Sequence, residues 1–160
     1  LLLRAIPAVL KHHHDAHFVF AGDGDMKEAL ESEAQALGIS HACHFLGYRN
    51  GEELTNLFKA CDLVAIPSRN EPFGIVILEA WSAGKPVVAT KNGGPAEFVW
   101  HEVNGLKVNA EENSIAWGIC EVIRDKGKAN WLAENGRKTA ESSFCWDSIS
   151  GQTEGVYHRI

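Results

Sequence analysis

The sequence has no long apolar run, no excess of basic residues and no Cys-x-x-Cys pair. A membrane-spanning helix needs about 20 consecutive apolar residues, and no stretch approaches that length. Lysine and arginine number 15 against 21 acidic residues, for a net charge of -6, so we expect no nucleic-acid partner. The four cysteines are scattered, which favours reduced thiols over a disulfide framework and indicates a cytoplasmic protein.

Several common functional motifs are also absent. The sequence contains no Gly-x-Ser-x-Gly elbow, no Walker loop and no His-Glu-x-x-His element, which argues against serine hydrolases, P-loop nucleotidases and metalloproteases. The segment 22–27 begins like a dinucleotide fingerprint, but Lys27 replaces its third glycine, which disfavours an NAD enzyme. We interpret Asp23-Gly24-Asp25 as the cap of a helix, and His12-His13-His14 as a polar helix end. We therefore expect no metal.

The length of the chain and its first residues indicate how many domains it contains and how it begins. With 160 residues and 45% hydrophobic content, residues 1–160 suit a single domain with one core. The segment Leu1–Ile6 lacks the basic region and cleavage site of a secretory signal and resembles the middle of a helix. We therefore expect the chain to start inside a larger protein.

Short β-rich runs alternate with stretches of helical periodicity along the chain. The runs are continuously apolar, as in buried parallel strands, and are centred on Phe18–Ala21, His44–Leu46, Leu63–Ile66 and Val87–Ala89, with a weaker one at Leu106–Val108. This alternation predicts a Rossmann-like α/β fold, a parallel sheet with helices on both faces. Ligands of such sheets bind at the carboxyl ends of the strands.

The most informative turn follows the third strand. A helix is predicted to begin near Gly74 and to stop near Gly84, because Lys85-Pro86 cannot continue it. This helix is apolar on nearly every face, so we expect it to be buried. Glu79 is the exception, and a carboxylate at such a position needs a partner.

The start of that helix suits a diphosphate. Free N–H groups and partial positive charge point outward from a first turn, and Gly74 allows close approach. Glu79 reaches back beside the phosphates because helical side chains tilt toward the N-terminus, while Glu71 flanks their other side. The alternative is a solvated Glu71 and a Glu79 paired with an internal Arg or Lys.

A second glycine-rich loop follows the fourth strand. The residues Gly93 and Gly94 permit backbone conformations closed to other residues, and this loop faces the same end of the sheet. The alternative interpretation is a plain glycine turn, with Glu97 capping the next short helix.

Together these segments resemble the family-4 retaining glycosyltransferases, in the same order and over almost the whole chain. The matching segments are Phe20–Gly24, Phe45–Tyr48, Cys61–Ser68, Glu71–Glu79, Ala83–Thr90, Gly93–Glu97 and Asn104–Leu106. The resemblance implies a GT-B architecture, of which this chain corresponds to the C-terminal, donor-binding half.

The resemblance also implies a role for each candidate residue. Glu71, the candidate catalytic residue, would contact hydroxyls of the donor sugar, and Glu79 those of the ribose. The other donor-binding residues would be Phe73, Gly74, Ile75 and Val76 through backbone amides, Tyr48 and Arg49 near the base, and Gly93 and Gly94 beside the sugar.

The implied reaction transfers a hexose from a nucleotide sugar such as a UDP- or GDP-hexose, with retention and without a metal or cofactor. The family's first strand in this domain, with its diphosphate-neutralising Arg and Lys, and the N-terminal acceptor domain have no counterpart here. We therefore expect weak donor binding, little transfer by the chain alone, and self-association through an exposed sheet edge. The complete enzyme is expected in the cytoplasm, at the cytoplasmic membrane surface.

Two other functions remain open at this point. A sugar-nucleotide epimerase of the same fold would need no acceptor surface, although the Glu71–Glu79 segment and the double-glycine loop fit a transferase better. A non-catalytic module that binds nucleotide sugars or another protein is the second alternative.

Overall fold

The computed structural model describes residues 1–159, in which parallel strands alternate with helices. The strands are β1 (Phe18–Ala21), β2 (Cys43–Gly47), β3 (Val64–Ile66), β4 (Val87–Thr90) and β5 (Leu106–Val108). The helices are α1 (Leu2–Leu10), α2 (Lys27–Ala36), α3 (Gly51–Ala60), α4 (Ile75–Ser82), α5 (Pro95–Phe98), α6 (Glu112–Arg124), α7 (Lys126–Ser143) and α8 (Trp146–Tyr157). A short 3-10 turn, Ser40–Ala42, precedes β2.

The strands form two parallel sheets. One consists of β1 and β2, and the other has the order β3-β4-β5. Within residues 1–159, no ladder of hydrogen bonds joins the two sheets. The predicted fold class, a Rossmann-like parallel α/β domain, is confirmed.

The three-stranded sheet is buried on both faces because its side chains alternate between two cores. One core joins β3 and β4 to α4, α5 and α7, and its strand residues are Val64, Ile66, Val87 and Ala89. The other joins the sheet to α1 and α6, and its strand residues are Ala65, Val88, Leu106 and Val108. The continuous apolar runs of these strands follow from this double burial.

Helix α1 holds the two sheets together. Its residues Ala5 and Val9 belong to the core beside α6, whereas Leu3 and Ile6 pack in a third core with α2 and the two-stranded sheet. Phe18 of β1 contacts both of these cores. The first residues of the chain are therefore part of the core, as their apolar character predicts.

The prediction that all strands are buried is wrong for β1 and β2. Val19 is 51% exposed, and His44 of β2 is also exposed on the surface. Helix α3, which follows β2, contains no buried residue, although Leu54 and Leu57 lie on its apolar side. One face of the two-stranded sheet therefore lacks a covering layer, because no described element packs fully against it.

The five tryptophans differ widely in burial. Trp81 of α4 is fully buried, and its ring lies edge-on to Phe98 with centroids 5.8 Å apart. The others are between 45% and 83% exposed, and they are Trp100, Trp117, Trp131 and Trp146. The size and apolar character of a tryptophan do not determine its burial, because the neighbouring elements decide whether its ring is covered.

Candidate functional site

The first turn of α4 is formed as the sequence predicts. Gly74 adopts a left-handed conformation, with φ 95° and ψ 46°, immediately before the helix begins at Ile75. A Cβ atom at this position would lie 3.3 Å from Cγ of Pro95 and 3.5 Å from Cγ of Glu71. Within residues 1–159, no side chain caps this end of the helix. The backbone N–H groups of Ile75 and Val76 thus remain available to an anion, whereas that of Ile77 donates to the Gly74 carbonyl oxygen.

The double-glycine loop contacts the Glu71 loop directly through the backbone. Glu71 forms a parallel β-bridge with Gly93, and the Gly94 N–H donates to the Glu71 carbonyl oxygen at 2.8 Å. A Cβ atom on Gly93 would lie 2.2 Å from that same oxygen. This contact explains both glycines better than a plain turn does, and it brings four predicted residues together: Glu71, Gly74, Gly93 and Gly94.

Three polar side chains that the sequence analysis did not assign hold this site together. The Thr90 hydroxyl, at the end of β4, donates to the carbonyl oxygen of Ser68. The Ser68 hydroxyl in turn donates to Oε2 of Glu71 at 3.0 Å, and the Asn92 amide donates to the carbonyl oxygen of Arg69 at 3.2 Å. The sequence feature that could have indicated these residues is a hydroxyl or amide side chain at the carboxyl ends of β3 and β4, where ligands of parallel sheets bind.

Glu79 lies on the exposed edge of α4, one turn into the helix. None of the side-chain hydrogen bonds or ion pairs within residues 1–159 involves it. The alternative that Glu79 pairs with an internal Arg or Lys is therefore wrong. Its carboxylate keeps its hydration, so it needs no internal partner.

The prediction that α4 is buried on all sides is also wrong. Ile75 is 63% exposed and Val76 41% exposed, and both lie on the same edge as Glu79. The buried side consists of Ile77, Ala80 and Trp81. The three-stranded sheet and α7 cover only this side, which leaves the edge near Gly74 open.

Phe73 is fixed between the loop and the core. Phe73 is 48% exposed. The centroid of its ring lies 5.6 Å from that of Phe98 and 6.1 Å from that of Phe144. These contacts hold the peptide just before Gly74. The ring thereby supports the position of the backbone amides that the sequence analysis assigned to the donor.

Tyr48 and Arg49 lie apart from this group, at the carboxyl end of the two-stranded sheet. Tyr48 is 67% exposed, and its carbonyl oxygen accepts a 2.8 Å hydrogen bond from Nη1 of Arg49. Nε of Arg49 lies 3.6 Å from a carboxylate oxygen of Glu53. No hydrogen bond or ion pair in the described part of the chain joins Tyr48 or Arg49 to Glu71 or Glu79.

The cysteines and other metal-binding side chains are dispersed. All four cysteines are free, and burial raises the pKa of the thiols of Cys43, Cys61 and Cys120, which keeps them protonated. Residues 1–159 contain no group of three or more His, Cys, Asp or Glu side chains arranged to hold a metal ion. In the same range, no helix is both long enough and apolar enough to cross a membrane.

Comparison with known proteins identifies the family. The model of the family Glycosyl transferases group 1 matches residues 1–139. This chain belongs to the group 1 glycosyltransferases. An uncharacterized glycosyltransferase of Methanocaldococcus jannaschii is 45% identical to it over 157 residues. A D-inositol 3-phosphate glycosyltransferase of Salinispora tropica is 40% identical over 126 residues, which is 78% of this chain and 26% of that protein.

Solved structures of glycosyltransferases have the same fold. The Anabaena protein HepE was crystallised with UDP and glucose. Its structure superposes on 98% of this chain with a TM-score of 0.88, and the two sequences are 34% identical. Sucrose-phosphate synthase from Thermosynechococcus elongatus superposes with a TM-score of 0.84 at 27% identity over 99% of the chain. The chain spans 40% of the Methanocaldococcus relative and 44% of HepE, so it corresponds to less than half of these proteins.

Proposed function

We propose that this chain binds the donor nucleotide sugar of a retaining hexosyltransferase, with a UDP-hexose as its donor. The observation that carries the proposal is the uncapped start of α4, flanked by Glu71 and by a Glu79 that has no partner within residues 1–159. HepE, which is 34% identical, was crystallised with UDP-glucose, and this supports the choice of donor.

The proposed site acts by positioning and by electrostatics. The diphosphate binds at the start of α4, where the helix dipole and the backbone N–H groups of Ile75 and Val76 stabilise negative charge. These groups also stabilise the charge that develops on the leaving diphosphate during transfer. The hydrogen bond from Ser68 holds the carboxylate of Glu71 on the sugar side, while Glu79 binds the ribose.

The proposed roles of the two glutamates differ, and a titration separates them. Replacing Glu79 with alanine removes hydrogen bonds from a carboxylate to the ribose, so the affinity for both UDP and UDP-glucose should fall by about tenfold or more. Replacing Glu71 with alanine should lower the affinity for UDP-glucose by a similar factor and leave the affinity for UDP unchanged. We expect NMR titrations, which tolerate weak binding, to show this difference.

Glu154→Ala is a suitable control because Glu154 is an exposed glutamate on α8 and has no part in the proposed donor site. This variant should bind both ligands like the unaltered chain. If Glu79→Ala bound UDP as well as the control did, the ribose assignment would be wrong. If none of UDP, GDP, UDP-glucose and GDP-mannose bound the unaltered chain, a non-catalytic interaction module would be the better interpretation.

Transfer requires an acceptor site, which we assign to a further domain of the longer protein. The chain spans 40–44% of the relatives described above, so more than half of each lies outside the matching region. Alone, the chain should bind the donor weakly and transfer no sugar. We further propose that the complete enzyme works in the cytoplasm, at the membrane surface, and the four free thiols support a reducing compartment.

We also propose that the open strand edges promote self-association of the chain. Within residues 1–159, no ladder of hydrogen bonds joins β1-β2 to β3-β4-β5, and Val19 exposes apolar surface beside its strand. The sedimentation coefficient of the chain should therefore rise with protein concentration. Val19→Lys places a charge beside the edge and should reduce this dependence, while Val156→Lys on α8, where the valine is 54% exposed, should not. A coefficient independent of concentration would contradict the proposal.

A further inference from the structure

An open groove of about 520 Å³ lies between α7 and the loop that precedes β5. Trp100 and Val103 form its wall on the loop side. The opposite wall belongs to the second half of α7, including Asn135, Lys138 and Ser143. The groove uses none of the residues assigned to the donor. Its volume falls within the range of roughly 300–1,000 Å³ found for small-molecule sites.

The loop that carries Trp100 is held rigidly. Asn104 is fully buried, and its Oδ1 accepts a 2.7 Å hydrogen bond from the backbone N–H of Trp100. Its Nδ2 donates to the carbonyl oxygen of Phe98 at 3.0 Å and to the Thr139 hydroxyl of α7 at 3.3 Å. The Asn135 amide also donates to the carbonyl oxygen of Val103, at 3.1 Å.

A second contact ties this loop to the start of α7. Nζ of Lys128 lies 2.7 Å from a carboxylate oxygen of Glu102, and this hydrogen bond lowers the pKa of the Glu102 carboxyl group. Together with the bonds of Asn104, it holds the middle of the loop as well as its ends. The indole of Trp100 therefore stands on a preorganised support, which reduces the entropy lost when a ligand binds.

Trp100 is 54% exposed although hydrogen bonds hold the loop that carries it. Hydroxyl, amide and charged groups of α7 line the groove beside it. An aromatic face beside such groups matches a pyranose, which has apolar C–H groups on its faces and hydroxyls around its edge. Tryptophan suits this purpose because it offers a large apolar surface together with a polar N–H group.

The charges of the lining favour an uncharged ligand. Lys138 is paired with Glu134 at 2.8 Å, and Glu141 with Arg137 at 2.7 Å. The groove thus presents one cation and one anion, each already paired with a neighbour on α7. A phosphate or carboxylate group would find no unpaired cation among the lining residues.

From these features we propose that the groove beside Trp100 binds a neutral glycan chain. A pyranose ring stacks on the Trp100 indole, and its hydroxyls bond to Ser143 and to the Oδ1 atom of Asn135. Because the groove is open at the surface, a chain longer than the site extends beyond it at both ends. The inference does not depend on donor binding, since it rests on different residues.

The test is an NMR titration without nucleotide, using maltopentaose and cellopentaose as α- and β-linked neutral probes. At millimolar concentrations, one probe should shift the indole N–H signal of Trp100, assigned by its loss in Trp100→Phe, more than the signals of Trp131 and Trp146. Trp100→Ala should weaken binding of that probe by about tenfold, which corresponds to about 1.4 kcal/mol. Trp131→Ala is the matched control, because Trp131 is 55% exposed and lies outside the groove.

A second variant leaves the tryptophan in place. Ser143→Arg adds bulk to the opposite wall and should reduce binding as Trp100→Ala does. Adding UDP should leave glycan affinity unchanged, which separates this site from the donor site. If neither probe shifted the Trp100 signal, or if Trp131→Ala weakened binding as much as Trp100→Ala, the inference would be overturned.

Discussion

Replacing Gly93 with alanine is expected to disrupt the candidate donor site. The new Cβ atom would lie 2.2 Å from the carbonyl oxygen of Glu71, so the two loops must separate. The φ angle of 74° adds strain, because left-handed conformations cost a non-glycine residue about 1–2 kcal/mol. We expect loss of measurable binding to UDP-glucose and a lower free energy of unfolding, measured by titration and by urea denaturation.

Gly38→Ala separates the strain from the steric clash. Gly38 has nearly the same φ angle, 70°, but a Cβ atom there would have no heavy atom within 4 Å. Strain should lower the free energy of unfolding of both variants by a similar amount. In Gly93→Ala this free energy should fall by about 1–3 kcal/mol more, as it does at overpacked sites. Gly94→Ala tests the clash without strain, since its Cβ atom would lie 2.6 Å from Cα of Phe73. Equal effects of Gly38→Ala and Gly93→Ala would show that the contact with Glu71 is unimportant.

Replacing Trp81 with alanine is expected to lower the free energy of unfolding by about 3–5 kcal/mol, the usual range for truncation of a buried aromatic side chain. Its ring is fully buried, and it packs so closely against α7 that a Cβ atom on Gly136 would lie 2.3 Å from it. This contact joins α4, which begins at the candidate donor site, to α7. We therefore expect the variant to bind UDP-glucose less well even where it remains folded, and urea denaturation measures the stability.

Two tryptophan variants serve as controls. Trp146→Ala should change the free energy of unfolding by no more than about 0.5 kcal/mol, because Trp146 is 83% exposed. Trp81→Phe should cost less than Trp81→Ala, since it keeps an aromatic ring and removes an indole N–H that is buried without a partner in the described structure. A small effect of Trp81→Ala would mean that the core between α4 and α7 tolerates a large cavity.

Local features of this protein could be predicted from the sequence. The bounds of α4 could be predicted from Gly74 at its start and from Gly84-Lys85-Pro86 after its end, because a helix cannot continue into the proline. The apolar runs of β3 and β4 likewise indicate burial on both faces, and the structure confirms it. The roles of Tyr48 and Arg49 in base binding stay predictions.

The order of strands and helices, the ends of α4 and the family could be predicted from local patterns, since these depend on residues close together in the chain. The tertiary structure was needed to show which side of α4 is covered, and hence that Glu79 is exposed. It also decided that Gly93 lies against Glu71, and that Trp81 is buried while Trp100 is exposed. The reason is physical: burial and close approach depend on which distant elements pack together, and hydrophobic periodicity marks an apolar side chain without stating what covers it.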